Sequence, residues 1–142
     1  MSIILPDWPA PNPVNAAVST RRGGLSAAVW RSLNLAYHVG DNALSVEQNW
    51  QLLGSLLRLP VAPQLLEQVH GVDVVHAQSD GNIRRADACY SDQRAVVCTV
   101  MTADCLPILI CDRAGGEVAA VHAGWRGLAG GVVANATRQF KN

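Results

Sequence analysis

Residues 102–128 read TADCLPILICDRAGGEVAAVHAGWRGL and carry the clearest pattern of strands, turn and helix in the chain. Val- and Ile-rich segments at 107–111 and 117–122 predict two strands, and the Gly-rich segment 113–116 predicts the turn between them. A helix is expected over 127–140, directly after the second strand. This part of the chain is therefore predicted to form a strand, a turn, a second strand and a helix.

Outward from this stretch, the chain predicts short strands and one long helix. Asn42 or Ser45 should cap a helix that continues to about residue 59, because Pro60 ends it. A tight turn is expected at His70 and Gly71. The other predicted extended segments are 15–20, 33–39, 63–69, 72–77 and 95–102. These elements predict an α+β fold, with mixed β-sheets covered by helices in an α/β/β/α-type sandwich.

Composition indicates a globular protein and excludes several classes of partner. The 142 residues are 49% hydrophobic, which fits a single domain over residues 1–142 with its own core. Eleven basic residues balance eleven acidic ones and no basic run occurs, so neither nucleic acid nor a membrane is an expected partner. The N-terminus lacks the pattern of a secretory signal, and we expect a cytoplasmic location. The four cysteines would be reduced there, which favours ligand or nucleophile roles.

Three residues carry the chemistry that the sequence suggests. His70 lies at the predicted turn, Cys105 at the break before a strand, and His122 at the end of the next strand. Two imidazoles and one thiolate are the ligands of a catalytic zinc site with an open fourth position. They also match a blue-copper centre, or the nucleophile and base of a Cys/His hydrolase. The spacing of these residues along the chain does not decide between the three interpretations.

Five sequence motifs resemble one known family. In chain order they are STRRGGLS, SLNLAYHVGD, EQVHG, TADCLPIL and AAVHAGWRGL. They resemble the YfiH-type family, whose members have been named laccase-domain or multicopper polyphenol oxidoreductases, peptidoglycan editing factors and purine nucleoside phosphorylases. The resemblance covers nearly the whole chain and implies an α/β protein with one zinc site. By motif matching, the Zn²⁺ ligands fall on His70, Cys105 and His122.

The resemblance also implies substrates and roles for further residues. It implies phosphorolysis of adenosine, inosine, guanosine and methylthioadenosine, with purine nucleosides and phosphate as small-molecule partners, and hydrolytic deamination of adenosine. We therefore expect Cys105, His122 and His70 in the catalytic site, with Asp104 as a proton shuttle. From residue type, the candidates for binding the phosphate or the sugar are Arg21, Asn34, His38 and Arg126.

Other functions fit the same residues. Cu²⁺ in place of Zn²⁺ would give a copper-dependent polyphenol oxidase, although several copper sites need more ligands than the four histidines supply. Cys105 as nucleophile with His122 as base would give an amidase-type peptidoglycan editing hydrolase. A non-enzymatic interaction module is the remaining alternative.

The chain departs from the family pattern in two ways, and the second leads to further expectations. The family usually has an Asn-Arg pair after HVGD, where this chain has Asn49 and Trp50. Family members also continue beyond the last helix, so we expect a domain whose C-terminal part is missing and a sandwich that is incomplete. Uncovered apolar sheet surface would then favour a homo-oligomer or an unstable chain, and we expect weak or no phosphorylase activity.

Overall fold

The computed structural model describes residues 1–141 of the chain. These residues fall into two compact units. The first unit comprises Met1–Trp8 and Asn15–Leu59, and the second comprises Pro9–Val14 and the chain from Pro60 onward. Within residues 1–141, no helix has both the length and the apolar character that crossing a membrane requires.

The first unit contains a small sheet and one long helix. Strand β1 (Ile3–Ile4) pairs antiparallel with β2 (Val18–Ser19), so the strand predicted at 15–20 is present over part of its length. Two short 3₁₀ helices follow, at Ala28–Trp30 and Tyr37–Val39. Helix α1 (Ala43–Leu57) completes the unit.

Local hydrogen bonds explain where the first unit agrees with the sequence and where it differs. The Asn42 side chain accepts from the backbone N–H of Ser45 at 3.1 Å, which confirms the predicted cap of α1. The extended segment predicted at 33–39 is wrong in its second half, which is a 3₁₀ helix. The Asn34 side chain donates to the Ala36 carbonyl and accepts from the Ala36 N–H, so the chain turns there instead of pairing.

Asn49 holds the loop of the first unit together. Its side chain is fully buried, and its Oδ1 accepts from the Leu25 N–H at 2.8 Å. Its Nδ2 donates to Ser26 Oγ at 2.9 Å and to the Asn34 carbonyl at 2.8 Å. The next residue, Trp50, donates from its indole to the Leu35 carbonyl. The Asn49–Trp50 pair therefore ties α1 to the preceding loop.

The second unit contains a mixed sheet with helices after its last strand. Its elements are β3 (Leu66–Glu67), β4 (Val74–His76), β5 (Arg84–Arg85), β6 (Ala88–Ser91), β7 (Leu106–Cys111), β8 (Val118–Ala123), α2 (Trp125–Gly130) and α3 (Val132–Thr137). The central sheet has the order β4–β6–β8–β7, in which only the β4–β6 pair is parallel. A two-stranded parallel sheet joins β3 to β5. The mixed sheets and the helices confirm the predicted α+β class.

The core of the second unit lies on both faces of the central sheet. Alternation along β6 and β8 sends Ala88 and Val121 to one face, where they pack against Val132 of α3. Cys89 and Ala120 point to the opposite face, where they pack in a cluster with the following residues: Leu66, Ala77 and Ala86. One face is thus covered by a helix, and the other by residues from extended segments.

Two predictions for the second unit are wrong, each for a physical reason. The helix predicted at 127–140 is divided into α2 and α3, because Gly131 adopts a left-handed conformation with φ of 93°. The strand predicted at 95–102 is reduced to a single bridge at Cys98. The Gln68 side chain contacts both the N–H and the carbonyl of Met101, which occupies backbone groups that a neighbouring strand would use.

The chain bends at His70 and Gly71, as predicted, although the segments on either side of this turn do not pair with each other. Strand β3 pairs with β5, and β4 pairs with β6. The two backbone N–H groups of His70 and Gly71 donate instead to the side chain of Asp87. The turn is therefore held by a side chain and not by a hairpin ladder.

Candidate metal centre

His122 lies near the end of β8, with its imidazole turned into the unit. Its side chain is 4% exposed, and its Nδ1 lies 2.8 Å from Asp87 Oδ1. The Asp87 carboxylate accepts hydrogen bonds from backbone N–H groups, so it is an acceptor here and Nδ1 carries the proton. The lone pair of His122 is consequently on Nε2, the nitrogen available to an ion.

His70 is presented by a strained turn. Its φ of 60° lies in the left-handed region, which a residue with a side chain seldom adopts. Asp87 stabilises this conformation by accepting from His70 N at 2.8 Å, from Gly71 N at 2.7 Å and from Val69 N at 3.2 Å. The rings of His70 and His122 meet edge to face, with centroids 4.8 Å apart.

Cys105 completes the group from the residue before β7. Its Sγ lies 3.9 Å from His70 Nε2. The donor atoms of His70, Cys105 and His122 all lie within 4.8 Å of one another. This spread is slightly wider than the roughly 3–4 Å that bonds of about 2.0–2.3 Å to one ion require. The structure therefore brings together the three side chains that the sequence suggested.

Burial and charge differ across the group. His70 is exposed, Cys105 is half-buried and His122 is buried, so one side of the group is open to solvent. Burial opposes ionisation of Asp87, but hydrogen bonds from His122 and the backbone hold the pKa of this carboxyl below its usual value. Partial burial, followed by the neighbouring Asp104 carboxylate, raises the pKa of the Cys105 thiol in the metal-free protein.

Gly124 leaves the space into which these side chains project. It follows β8 and precedes α2, and it is buried. A Cβ at this position would lie 3.0 Å from His70 Cδ2 and 3.1 Å from Cys105 Sγ. Such distances are shorter than ordinary van der Waals contacts. A methyl group at residue 124 would therefore push the side chains of His70 and Cys105 away from it. The absence of a side chain at this position is therefore part of the site's geometry.

Replacing Gly124 by alanine should weaken metal binding while the fold is retained. We expect zinc affinity to fall by about 10-fold, because the added methyl group displaces the two donors that it meets, at the lower end of the loss seen when ligands are misoriented. Competition with a chromophoric chelator measures the affinity. Gly116→Ala is the matched control, since a Cβ there meets nothing within 4 Å. An alanine at 124 that leaves zinc affinity at the wild-type value would show that this space is not needed.

The donor set fits a zinc ion. One thiolate and two imidazoles would supply the three protein ligands that catalytic zinc sites have, and the exposed side of the group would be left for water or substrate. The same donors also suit copper, so the identity of the metal does not follow from them. Within residues 1–141, no second group of three or more His, Cys, Asp or Glu side chains is arranged to hold an ion.

The other predicted site residues divide between the two units. Asp104 is exposed beside Cys105, and the Arg126 guanidinium lies 4.8 Å from the ring centroid of the exposed Trp125. Both belong to the second unit, with the three donors. The residues of the first unit are Arg21, Asn34 and His38. Their assigned roles stay predictions.

Two of those residues make hydrogen bonds within the first unit. The Arg21 guanidinium donates to the carbonyls of Arg31 and Val29. Asn34 donates to Asp41 Oδ2 at 3.0 Å. His38 is exposed in the second 3₁₀ helix. These contacts show that Arg21 and Asn34 shape the local loops.

Asp87 is the site residue that the sequence reasoning missed. It stands in RRADACYS, a segment without a recognisable ligand spacing. Its one sequence signal is its position directly before β6. It therefore lies at the end of the sheet where the neighbouring strand β8 carries His122. That relation exists only after the strands have been paired.

Comparisons with known proteins show the family to which the chain belongs. Residues 15–142 match the family model described as multi-copper polyphenol oxidoreductase laccase. The chain is 55% identical over 130 residues to a purine nucleoside phosphorylase of Pseudomonas aeruginosa, an alignment that covers 92% of this chain and 52% of that protein. It is 53% identical over 132 residues to the purine nucleoside phosphorylase YfiH of Escherichia coli K12, covering 92% and 54% of the two chains.

Solved structures show the same fold. A crystal structure of a Neisseria meningitidis protein of family DUF152 superposes with a TM-score of 0.91 at 49% identity, covering 99% of this chain and 57% of that one. YlmD from Geobacillus stearothermophilus gives a TM-score of 0.75 at 34% identity, covering 83% and 48%. The chain spans about half the length of the curated relatives that it matches. From these matches, the chain belongs to the YfiH-type family of multi-copper polyphenol oxidoreductase laccase proteins.

Proposed function

We propose that this chain carries the zinc site of a purine nucleoside phosphorylase. The observation that supports this most is the convergence of His70, Cys105 and His122 within 4.8 Å, in a chain 53% and 55% identical to proteins named purine nucleoside phosphorylase. The proposed substrates are purine nucleosides and inorganic phosphate: adenosine, inosine, guanosine and methylthioadenosine. Hydrolytic deamination of adenosine is proposed as a second reaction of the same site.

The chain's own residues would hold and orient the ion. His122 Nε2, His70 and the Cys105 thiolate would be its ligands, and Asp87 keeps His122 in the tautomer that ligation needs. When bound, zinc supplies Lewis acidity and lowers the pKa of a coordinated water to about 7. The exposed side of His70 is where a substrate would approach. Asp104, exposed beside Cys105, is the proposed proton shuttle for deamination.

Phosphorolysis also needs an anion site and a surface for the base. Arg126 is a cation in the turn of α2 that follows Gly124, so it is the proposed phosphate contact of the second unit. The ring of Trp125 is 72% exposed and offers a flat surface on which a purine can stack. Arg21 is proposed as a second phosphate contact, and Asn34 and His38 as sugar contacts.

The alternative functions have weaker support. The copper oxidase function rests on the description of the family model, and residues 1–141 provide one ion-binding group where multicopper chemistry needs several. A Cys/His hydrolase needs a reactive thiolate, whereas burial and Asp104 raise the pKa of the Cys105 thiol. The hydrolase alternative also does not explain why Asp87 fixes His70 as well as His122.

Phosphate-dependent cleavage of a nucleoside tests the proposed function. Zinc-loaded protein should convert inosine to hypoxanthine and ribose 1-phosphate only when phosphate is present, and a chelator should abolish the conversion. Chromatography of the base and the sugar phosphate measures both products. Arg126→Ala should raise the KM for phosphate, with Arg94→Ala as the control for loss of an exposed arginine in the same unit. Phosphate-independent release of the base, or oxidation of a phenol by the copper-loaded protein alone, would contradict the proposal.

A further inference from the structure

We infer that Asp87 is a positioning residue that sets the orientation of both histidines, so that a single buried carboxylate determines whether the metal centre can form. This inference rests on the proposed metal site. Asp87 is fully buried, and its two oxygens accept hydrogen bonds from both histidine-bearing segments. The two segments, the turn at His70 and the end of β8, are far apart in the sequence and meet at this one side chain.

The first half of the argument concerns His122. Oδ1 of Asp87 lies 2.8 Å from Nδ1 of His122, and the Asp87 carbonyl accepts from the His122 backbone N–H at 2.7 Å. The backbone contact fixes where His122 lies on β8, and the side-chain contact fixes how its ring is turned and which nitrogen carries the proton. An acceptor at Nδ1 leaves the Nε2 lone pair for a ligand.

The second half concerns His70. Its backbone is held in the left-handed region at φ of 60°, which costs free energy unless the surroundings fix it. Three consecutive N–H groups, those of Val69, His70 and Gly71, donate to the Asp87 carboxylate. A nest of backbone N–H groups of this kind binds an anion and needs one to remain in place. Asp87 is that anion, and it therefore fixes the direction in which the His70 imidazole projects.

Asparagine cannot replace Asp87 in both roles, although it has nearly the same size. Its side chain has one acceptor oxygen and one NH₂ group. If the NH₂ group takes the place of Oδ2, it faces the N–H groups of Val69 and Gly71 and cannot accept from them. If it takes the place of Oδ1, it donates to His122 Nδ1, which favours the tautomer protonated on Nε2, and it cannot accept from the His70 N–H. The first placement loosens the turn that presents His70, and the second affects both histidines.

The test compares Asp87→Asn with Asp112→Asn. Asp112 accepts from the backbone N–H groups of Ala114, Gly116 and Glu117 in the β7–β8 turn, so its replacement controls for the loss of a carboxylate that holds a turn. Two quantities are measured. Two-bond ¹H–¹⁵N NMR correlations report the tautomer of neutral His122 in the metal-free protein, and competition with a chromophoric chelator reports zinc affinity.

We expect the wild-type protein and Asp112→Asn to show His122 protonated on Nδ1, with equal zinc affinities. Asp87→Asn should weaken zinc binding by about 10- to 100-fold and show either the Nε2-protonated tautomer or shifted His70 resonances. Wild-type tautomer, His70 resonances and zinc affinity in Asp87→Asn would overturn the inference. If Asp87→Asn does not fold, Asp87→Glu is used, which keeps a carboxylate and should keep the Nδ1 proton; an Nε2-protonated His122 in that variant would also overturn it. A wild-type protein that binds no zinc would refute the proposed function, while the NMR comparison would still decide the role of Asp87.

Discussion

Replacing Cys105 by alanine should lower zinc affinity by more than about 100-fold, beyond what the loss of an outer-shell partner costs. The reason is that the thiolate is the one anionic donor of the group, and two histidines alone leave the ion with half of a tetrahedral shell. Competition with a chromophoric chelator measures the loss. Substitution by Co²⁺ adds a second readout, since the sulfur-to-cobalt charge-transfer absorption should disappear.

Cys111→Ala is the matched control for this prediction. Cys111 stands at the other end of β7, whereas Cys105 directly precedes the strand. Both thiols are half-buried. The control should bind zinc as the wild-type protein does and retain the absorption of the cobalt form. A Cys105→Ala protein with unchanged zinc affinity but no activity would favour a nucleophilic cysteine over a metal ligand.

Replacing Asn49 by alanine should destabilise the first unit by about 3 kcal/mol. The substitution leaves the Leu25 N–H and the Asn34 carbonyl without the hydrogen-bond partner that the buried Asn49 side chain gives them, and each group left unsatisfied away from water costs about 1–3 kcal/mol. Urea unfolding followed by tryptophan fluorescence reports on this unit, because it contains Trp8, Trp30 and Trp50. Far-ultraviolet circular dichroism checks that α1 unfolds in the same transition.

Gln51→Ala is the control for the Asn49 prediction, since it removes an exposed amide from the same helix. Its unfolding midpoint should stay close to that of the wild-type protein, as surface substitutions usually change stability by less than about 0.5 kcal/mol. An Asn49→Ala protein as stable as the control would show that the loop of the first unit does not depend on this amide.

Local signals in the sequence predicted the features that depend on neighbouring residues. The cap at Asn42 and the end of α1 before Pro60 are of this kind, because the groups involved lie within a few positions of each other. The strands at 107–111 and 117–122 were also predicted, since a short turn joins them and they pair directly. The α+β class follows from these elements.

Features that depend on distant partners were not predictable in the same way. The segment 95–102 has the composition of a strand, but Gln68 occupies the backbone groups of Met101 and only one bridge forms.

The prediction of a single helix at 127–140 was wrong for a local reason. Gly131 adopts a left-handed conformation, which the helical pattern of the sequence does not reveal.

The candidate site shows the same division. His70, Cys105 and His122 were recognisable because thiols and imidazoles at strand ends and turns suggest metal ligation, and the family motifs place ligands on them. Asp87 was not, because its importance comes from the meeting of the His70 turn with the end of β8. A residue that positions a metal-binding side chain can be identified only from the tertiary contacts, whereas the metal-binding residue can be identified from its type and its sequence motif.

X-ray absorption at the zinc edge of the zinc-loaded protein tests the proposed metal centre most directly. The proposal predicts one zinc ion per chain, with one sulfur at about 2.3 Å and two imidazole nitrogens at about 2.0–2.1 Å, completed by a light atom from solvent. Cys105→Ala should remove the sulfur contribution, and Cys111→Ala should leave it in place. A zinc shell without sulfur, or one that keeps its sulfur in Cys105→Ala, would contradict the proposal that His70, Cys105 and His122 form the metal site.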